Sequence, residues 1–420
     1  MAKILLTMIV SNDLGPATRM LPVASELTSR GHEVAFCNRA PAPAQVIAEA
    51  GYQNFHIVPS KSPTVFPDVF SAEIWNGNQG AAYMGFLDAD FIRVLAHDYV
   101  AMMDEYDPDI VVDTWGLPAC LAAKIRRKPL VTITQADNHP DADGYIWWRP
   151  TPANLPNPVP VVNAVLEEFD LPPLKAKIEE LFLGDVVLIV GTPDTDPLPE
   201  NADVTYVEPL HPRSQQKELP DWIAALPQHQ PLIWVYSGNP RYGTDPFIAD
   251  SSVVIRAAVD VLGNEAVQVV LTTGHQPLPD EFSALPPNIH FTSHVPGAAM
   301  ARQSDLFIHH GGHGSYLTGL AAGTPAVIVP TYSERESNAR RLESMGAGEY
   351  VLPSTDNDGE KIIPLDEFRE KVWRVLEHSS YRQSARRIAE NMASYRGPEQ
   401  VADEVEALLA ISDERKTRSK

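Results

Sequence analysis

Short apolar runs alternate with helically spaced apolar positions along most of the chain. Residues 3–10 form a strand-like run. Residues 19–30 place Leu21, Ala24 and Leu27 at helical spacing, Gly31 stands where a helix C-cap belongs, and residues 33–37 read as the next strand. Further on, residues 109–113 predict a strand, 117–125 a helix, and 130–134, 186–190 and 204–207 three more strands. Strands alternating with helices predict βαβ units and a parallel sheet covered on both faces. Residues 138–160 interrupt this rhythm with prolines and Trp147-Trp148, and predict a loop excursion. Residues 211–231 are polar and proline-punctuated, as a linker would be.

A second alternating series follows. Strands are expected at 232–236, 267–272, 305–309 and 326–329, with helices at 252–262, 316–322 and 338–345. Residues 365–411 are helical with one break at Gly397-Pro398, and the charged residues 413–420 read as a frayed end. This pattern predicts a first α/β domain over 1–210, a linker over 211–231, a second α/β domain over 232–385, and a helical tail over 386–420 that packs back toward the first domain.

Composition narrows the partners. The chain has 420 residues, 44% of them hydrophobic and 21% charged, enough for two full cores. A formal net charge of −22 argues against nucleic acid or anionic lipid held by non-specific attraction. A small anion remains compatible, held by backbone N–H groups, helix N-termini and a few side chains. With two cysteines, Cys37 and Cys120, no disulfide scaffold is expected and a reducing cytoplasm is the simple expectation. The N-terminal apolar run is short and lacks a cleavage site, so it reads as a buried strand rather than a leader. No segment approaches a membrane span.

The chemistry concentrates in residues 305–350. An apolar strand runs into His309-His310-Gly311-Gly312-His313-Gly314-Ser315, and a helix starts at once. Such a turn lets backbone approach a ligand closely and presents free N–H groups at the positive end of a helix, a site for pyrophosphate. His310 adds an imidazole and Ser315 a hydroxyl. A second strand, loop and helix follow, and the loop carries Glu334 and Arg335. Ligands of doubly wound sheets sit at the carboxyl ends of strands, where both loops fall. Neither the dinucleotide G-x-G-x-x-G after the first strand nor a P-loop is present.

The stretch DLFIHHGGHGSYLTGLAAGTPAVIVPTYSERESNARRLESMGAG resembles the donor-binding signature of the family-1, UDP-glycosyltransferase-like enzymes. LPVASELTSRGHEV, DPDIVVDTWGLPACLAA and LPDWIAALPQHQPLIWVYSGN extend the resemblance over most of the chain. It implies a GT-B fold, two Rossmann-like doubly wound domains facing across a cleft. It implies an inverting transfer of a hexose from a UDP- or dTDP-linked sugar to a small hydrophobic acceptor, without cofactor or metal. The alternatives are an epimerase or hydrolase of the same fold, or a non-catalytic sugar-nucleotide-binding protein. By resemblance, His310, Gly311, Gly312, Gly314 and Ser315 would contact the diphosphate, with the Gly238-Asn239 turn beside it. Val295 would hold the base through its backbone. Glu334 and Arg335 would occupy the family's sugar-reading Asp-Gln pair, and Asn338 would follow at the usual spacing.

Three positions depart from the family pattern. Pro16 stands where many members carry the catalytic histidine, which leaves Asp13 and Asp113 as candidate bases, each equally a helix or turn cap. His97, Asp98 and His139 are weaker candidates. Thr318 replaces a glutamate that reads the ribose. Arg335 replaces glutamine; a fixed cation there would favour an acidic sugar, touch the diphosphate, or pair with Glu334, Glu336 or Glu343, and among so many acids the pairing is the expectation. Asp194-Thr195-Asp196 resembles a metal-binding Asp-x-Asp but reads as turn chemistry. The aromatics Phe66, Phe70, Trp75, Tyr83, Phe86, Phe91, Trp147 and Trp148 would serve either as acceptor pocket or as core. The acceptor, the sugar and the oligomeric state are not encoded legibly.

Overall fold

The computed structural model describes every residue except 69, 71–72, 148–149, 208–209, 211–217, 240, 243–248, 332–333, 356–360 and 419–420. Trp148 and the first part of the expected linker therefore lie outside the described residues. The chain divides into two compact units. The first comprises Met1–Gly144, Pro150–Pro212 and Arg396–Lys420; the second comprises Tyr145–Arg149 and Arg213–Tyr395.

The first unit is built on seven strands, β1 (Lys3–Met8), β2 (Glu33–Cys37), β3 (Gln53–Phe55), β4 (Ile110–Thr114), β5 (Leu130–Thr134), β6 (Val186–Val190) and β7 (Thr205–Val207). They are all parallel, in the order β3-β2-β1-β4-β5-β6-β7. β4 and β5 are buried along their full length, as the centre of a covered parallel sheet requires. The helices are α1 (Gly15–Ser29), α2 (Pro41–Glu49), α3 (Gly77–Ala81), α4 (Ala89–Tyr106), α5 (Leu117–Ile125) and α6 (Val159–Glu168). α1 begins at Gly15, four residues ahead of the expected start, because a proline is well suited to a first helical turn and Pro16 occupies it. α4 was not evident from periodicity. Its start is fixed by Asp88, whose carboxylate accepts from the Phe91 N–H, and its buried face packs Ile92, Ala96 and Met103 on α5 and α6.

The second unit repeats the plan. Its strands are β8 (Leu232–Tyr236), β9 (Arg241–Tyr242), β10 (Ala249–Asp250), β11 (Gln268–Thr272), β12 (Ile289–Phe291), β13 (Leu306–His309), β14 (Ala326–Ile328), β15 (Gly348–Tyr350), β16 (Ser354–Thr355) and β17 (Lys361–Ile362). Six form a parallel sheet in the order β12-β11-β8-β13-β14-β15, and two small antiparallel pairs stand apart. The helices are α7 (Asp221–Ala224), α8 (Ser252–Leu262), α9 (Gly297–Gln303), α10 (His313–Ala321), α11 (Arg335–Ser344), α12 (Leu365–Glu377) and α13 (Ser379–Met392). Counted along each parallel sheet, both units have the 3-2-1-4-5-6 order of a doubly wound fold, which opens a crevice where the winding reverses. The reversal falls between β1 and β4 in one unit, and between β8 and β13 in the other.

The last helix, α14 (Pro398–Arg418), belongs to the first unit. The expected boundary at 386 falls inside α13, which stays with the second unit. Arg30 at the end of α1 holds α14: its guanidinium reaches Asp403 at 2.7 Å, Glu406 at 2.8 Å and the Glu399 carbonyl at 3.1 Å. Replacing Arg30 with Ala is expected to raise hydrogen exchange over residues 398–418 by the equivalent of about 1 kcal/mol of local stability. Exchange elsewhere in the first unit should change little.

Candidate functional site

In the second unit the reversal point brings together the turns after β8 and β13, and the ring of His310 fills the space between them. A Cβ on Gly238, which has φ +68°, would lie 2.8 Å from the ring; one on Gly312 would lie 2.6 Å from Nε2. Both positions require glycine for that close approach. The Tyr236 ring meets His310 edge-on at 5.6 Å. His310 is 8% exposed, and its Nδ1 has no hydrogen-bond partner. Burial first, and the charge of Arg335 second, hold its pKa well below that of an ordinary histidine. His310 is therefore a neutral imidazole.

His309 is sealed beneath it. Nδ1 of His309 accepts from the Gly311 N–H at 3.1 Å, which fixes the tautomer with the proton on Nε2. Burial, with Arg335 again contributing, lowers its pKa to about 3. Asn338 donates from Nδ2 to the Gly311 carbonyl at 2.8 Å, so its amide braces the turn rather than projecting from it.

α10 begins directly after the turn, with Gly312 at its N-cap and no side chain capping it. The first intrahelical bond there runs from the Tyr316 N–H to the Gly312 carbonyl, which leaves the Gly314 and Ser315 N–H groups without an intrahelical partner, as an anion site at a helix start requires. Gly314 borders open space. Ser315 is half-buried one position further on. Thr318 donates its hydroxyl back to the Gly314 carbonyl at 2.7 Å, so in this form it is occupied within the helix. Val295 is buried just ahead of α9, where Gly297 packs on Trp234 and its Cβ position lies 3.8 Å from the Thr318 methyl. The expected base-holding segment thus adjoins α10. Trp234 itself stacks on Phe307 at 4.0 Å and donates to Thr272.

The second loop differs from expectation at one residue. Arg335 makes no ion pair among the described residues; its guanidinium donates to the hydroxyls of Thr331 and Ser251. The expected pairing with Glu334, Glu336 or Glu343 is corrected accordingly. The reason is geometric: as the first residue of α11, Arg335 points inward and packs its Cβ and carbonyl against Gly311. Glu334 precedes it at the N-cap, with its carboxylate unpartnered among the described residues. The sequence reading missed Ser337. It is fully buried and its hydroxyl accepts from the Ile146 N–H at 2.6 Å, tying the chain at Ile146 to α11. A serine inside a charged helix gave no signal of that long-range bond.

In the first unit the two candidate acids belong to the two strands at the reversal point, Asp113 near the end of β4 and Asp13 in the loop after β1, but burial separates them. Asp113 is fully buried. It accepts from the Thr7 hydroxyl at 2.5 Å and the Gly116 N–H at 2.9 Å, and burial raises its pKa to about 6. Its neighbour Trp115 holds a left-handed φ of +70°, a strained conformation for a bulky residue. Asp13 is exposed and accepts from the Gly15 N–H at 3.0 Å through Oδ1, a turn that leads into α1. The weaker candidates are occupied: His97 meets Phe169 edge-on, Asp98 accepts from the Ser60 N–H, and His139 accepts from the Asp141 N–H. Asp196 is buried, accepting from the Ala136 N–H and the Thr195 hydroxyl, the structural role its turn sequence predicts.

The aromatic residues sort by exposure. Trp75, Phe86 and Phe91 are core. Phe66 and Phe70 are exposed beside Val65 and Met84, and Phe70 stacks on Tyr83 at 5.0 Å. Trp147 lies in the second unit, edge-on to Tyr145.

Two doubly wound parallel units, each with its candidate residues at the reversal point, define a GT-B protein, and solved structures agree. The calicheamicin glycosyltransferase CalG4 superposes over 97% of this chain and 98% of its own, with a TM-score of 0.69 and 20% identity. The glycosyltransferase VinC in complex with dTDP covers 97% and 99%, with a TM-score of 0.65 and 19% identity. At that identity they establish the fold.

Residues 256–408 match the family model described as "Erythromycin biosynthesis protein CIII-like, C-terminal domain". The L-demethylnoviosyl transferase of Streptomyces niveus is 25% identical over 70% of this chain and 72% of its own. An uncharacterized glycosyltransferase of Methanosarcina mazei is 25% identical over 95% and 96%. The NDP-glycosyltransferase YjiC of Bacillus licheniformis is 32% identical, over a stretch that spans 34% of each protein. These matches support a family-1 glycosyltransferase of natural-product type. No helix among the described residues is long and apolar enough to cross a membrane.

The buried histidines make stability depend on pH with a definite sign. His309 cannot take up a proton in the fold until the pH approaches about 3, whereas the unfolded chain does so below the ordinary value of 6.5. Its contribution is therefore complete above pH 6.5 and is lost as the pH falls toward 3. His309→Gln keeps an acceptor for Gly311 without a titrating ring. Denaturant titrations between pH 6 and 4 should show the slope of unfolding free energy against pH fall by about 1.4 kcal/mol per unit. An unchanged slope would contradict this assignment.

Proposed function

We propose that the protein transfers a hexose from a nucleoside-diphosphate sugar, UDP- or dTDP-linked, to a hydroxyl of a small hydrophobic acceptor, with inversion at the anomeric carbon. The observation that carries this reading is the uncapped start of α10 beside His310, with Gly238 pressed against the ring. The Gly314 and Ser315 N–H groups, a helix dipole and a neutral imidazole form a preorganised set of donors for a diphosphate. The leaving diphosphate gains negative charge as the sugar bond breaks, so donors aimed at it favour the transition state over the ground state. The unpartnered carboxylate of Glu334 is suited to accept hydrogen bonds from sugar hydroxyls, and the backbone at Val295 to hold the base. The exposed pair Phe66 and Phe70 in the first unit, with ring centroids 6.1 Å apart, suits an apolar acceptor.

The proton of the acceptor hydroxyl must leave during attack. Pro16 has no group to take it, and Asp113 is fully buried with its oxygens engaged. Asp13 is solvent-exposed and retains Oδ2 for the task. Asp13 is thus the general base of this reading, and Asp113 the clamp that fixes the ends of β1 and β4.

Two variants test these roles. His310→Ala removes a donor and opens a void beside Gly238, and should weaken UDP or dTDP binding about tenfold or more in calorimetry. Unchanged affinity would sink the donor-site assignment. Asp13→Asn should lower kcat about 100- to 10,000-fold while nucleotide affinity stays constant. Full turnover in that variant, or release of free sugar with every acceptor supplied, would instead favour a hydrolase of the same fold.

A further inference from the structure

Arg335 is 9% exposed, and its guanidinium is matched by two neutral hydroxyls, those of Thr331 and Ser251. Buried cations are ordinarily paired with a carboxylate, because hydroxyls do not offset the loss of water around a full charge. None of the ion pairs of the described residues includes it. Glu334, the adjacent acid, leaves its carboxylate unpartnered, and Glu343 is exposed on the far end of the same helix.

The surroundings say what the charge faces. The stem and carbonyl of Arg335 pack on Gly311, at the centre of the glycine-rich turn. Its field falls on His309 and His310, and both rings are uncharged. His310 Nδ1, buried, has no partner. Thr331 also accepts a hydrogen bond at its carbonyl from the ammonium of Lys361, which reaches this loop from β17. Ser251 stands at the N-cap of α8, the positive end of that helix. The buried charge of Arg335 thus lies between the N-terminus of α8 and the glycine-rich turn that opens α10, with no ion pair among the described residues to offset it.

We propose that Arg335 is a resident counter-charge for the diphosphate of the nucleotide, set beneath the glycine-rich turn, unfavourable in the free protein and compensated when the anion binds. This rests on the donor-site reading above and deepens it. Glutamine at this position would remove the buried charge while keeping the stem that packs on Gly311. The residue therefore trades stability of the free protein for affinity, which a merely structural arginine would not do. Because its stem packs on the glycine-rich turn, the gain should appear with UDP and dTDP alone. An arginine that read a carboxylate on the sugar would show its effect only with an acidic sugar nucleotide.

The test compares the wild-type chain with Arg335→Gln and Arg335→Lys, by calorimetric titration with UDP and with dTDP and by thermal unfolding of the free proteins. Arg335→Gln is expected to lose about 10- to 100-fold in affinity for both nucleotides, with a melting temperature equal to or above wild type. Arg335→Lys, which keeps the charge without the fork, should fall between them. Wild-type affinity in a folded Arg335→Gln protein would overturn the proposal. So would a melting temperature several degrees lower in both variants, because the arginine would then be scaffold. An effect confined to a uronic-acid sugar nucleotide would overturn it as well. If the wild-type chain binds neither UDP nor dTDP, the donor-site reading itself fails, and the proposal falls with it.

Discussion

The ring of His310 lies so close to the turns after β8 and β13 that neither Gly238 nor Gly312 can carry a Cβ. That packing makes the rest of the site possible. It draws two strand ends together at the point where the sheet reverses its winding, and it removes water from the imidazole. Once desolvated beside Arg335, the ring is neutral and keeps an unpartnered nitrogen. A charged histidine there would donate from both nitrogens and carry the positive charge itself. A neutral one donates a directed hydrogen bond, and the positive field comes instead from helix ends and from Arg335. Beneath it, the bonds from Gly311 to His309 and from Asn338 to Gly311 hold the turn rigid, so that binding need not order it.

The first unit uses the same winding for a different balance. Asp113 lies in β4 and Asp13 in the loop after the neighbouring β1, yet one is fully enclosed and the other faces solvent. Enclosure raises the pKa of Asp113 to about 6, a value often associated with a general base, but geometry outweighs it: the carboxylate is consumed by Thr7 and Gly116. A perturbed pKa marks a buried group; access decides whether that group can meet a substrate.

Much of the architecture was legible in the sequence because buried parallel strands are near-continuous apolar runs. Residues 117–125, 130–134, 186–190, 232–236 and 252–262 match their elements end to end. α4 escaped notice because its 18 residues mix acids and histidine among the apolar positions, and its start depends on the cap at Asp88. α10 and α11 begin three residues earlier than their apolar periods suggest, since glycine and polar residues fill their first turns. Site residues tied to local backbone were readable, above all the glycine-rich turn. Those that depend on long-range packing were not. Arg335 was expected to pair with a nearby acid, but its inward direction is set by contact with Gly311, and the bond from Ile146 to Ser337 spans 191 positions.

The account stands or falls on how His310 meets the nucleotide. Imidazole 15N spectra of histidine-labelled protein, with His310 assigned by comparison with His310→Ala, would follow that ring as dTDP or UDP is added near pH 7. A neutral ring, with one of its two nitrogen resonances shifting saturably as the nucleotide binds at one site, is the predicted result. An imidazolium pattern in the complex would contradict the account, as would a His310 ring that does not respond while the nucleotide binds.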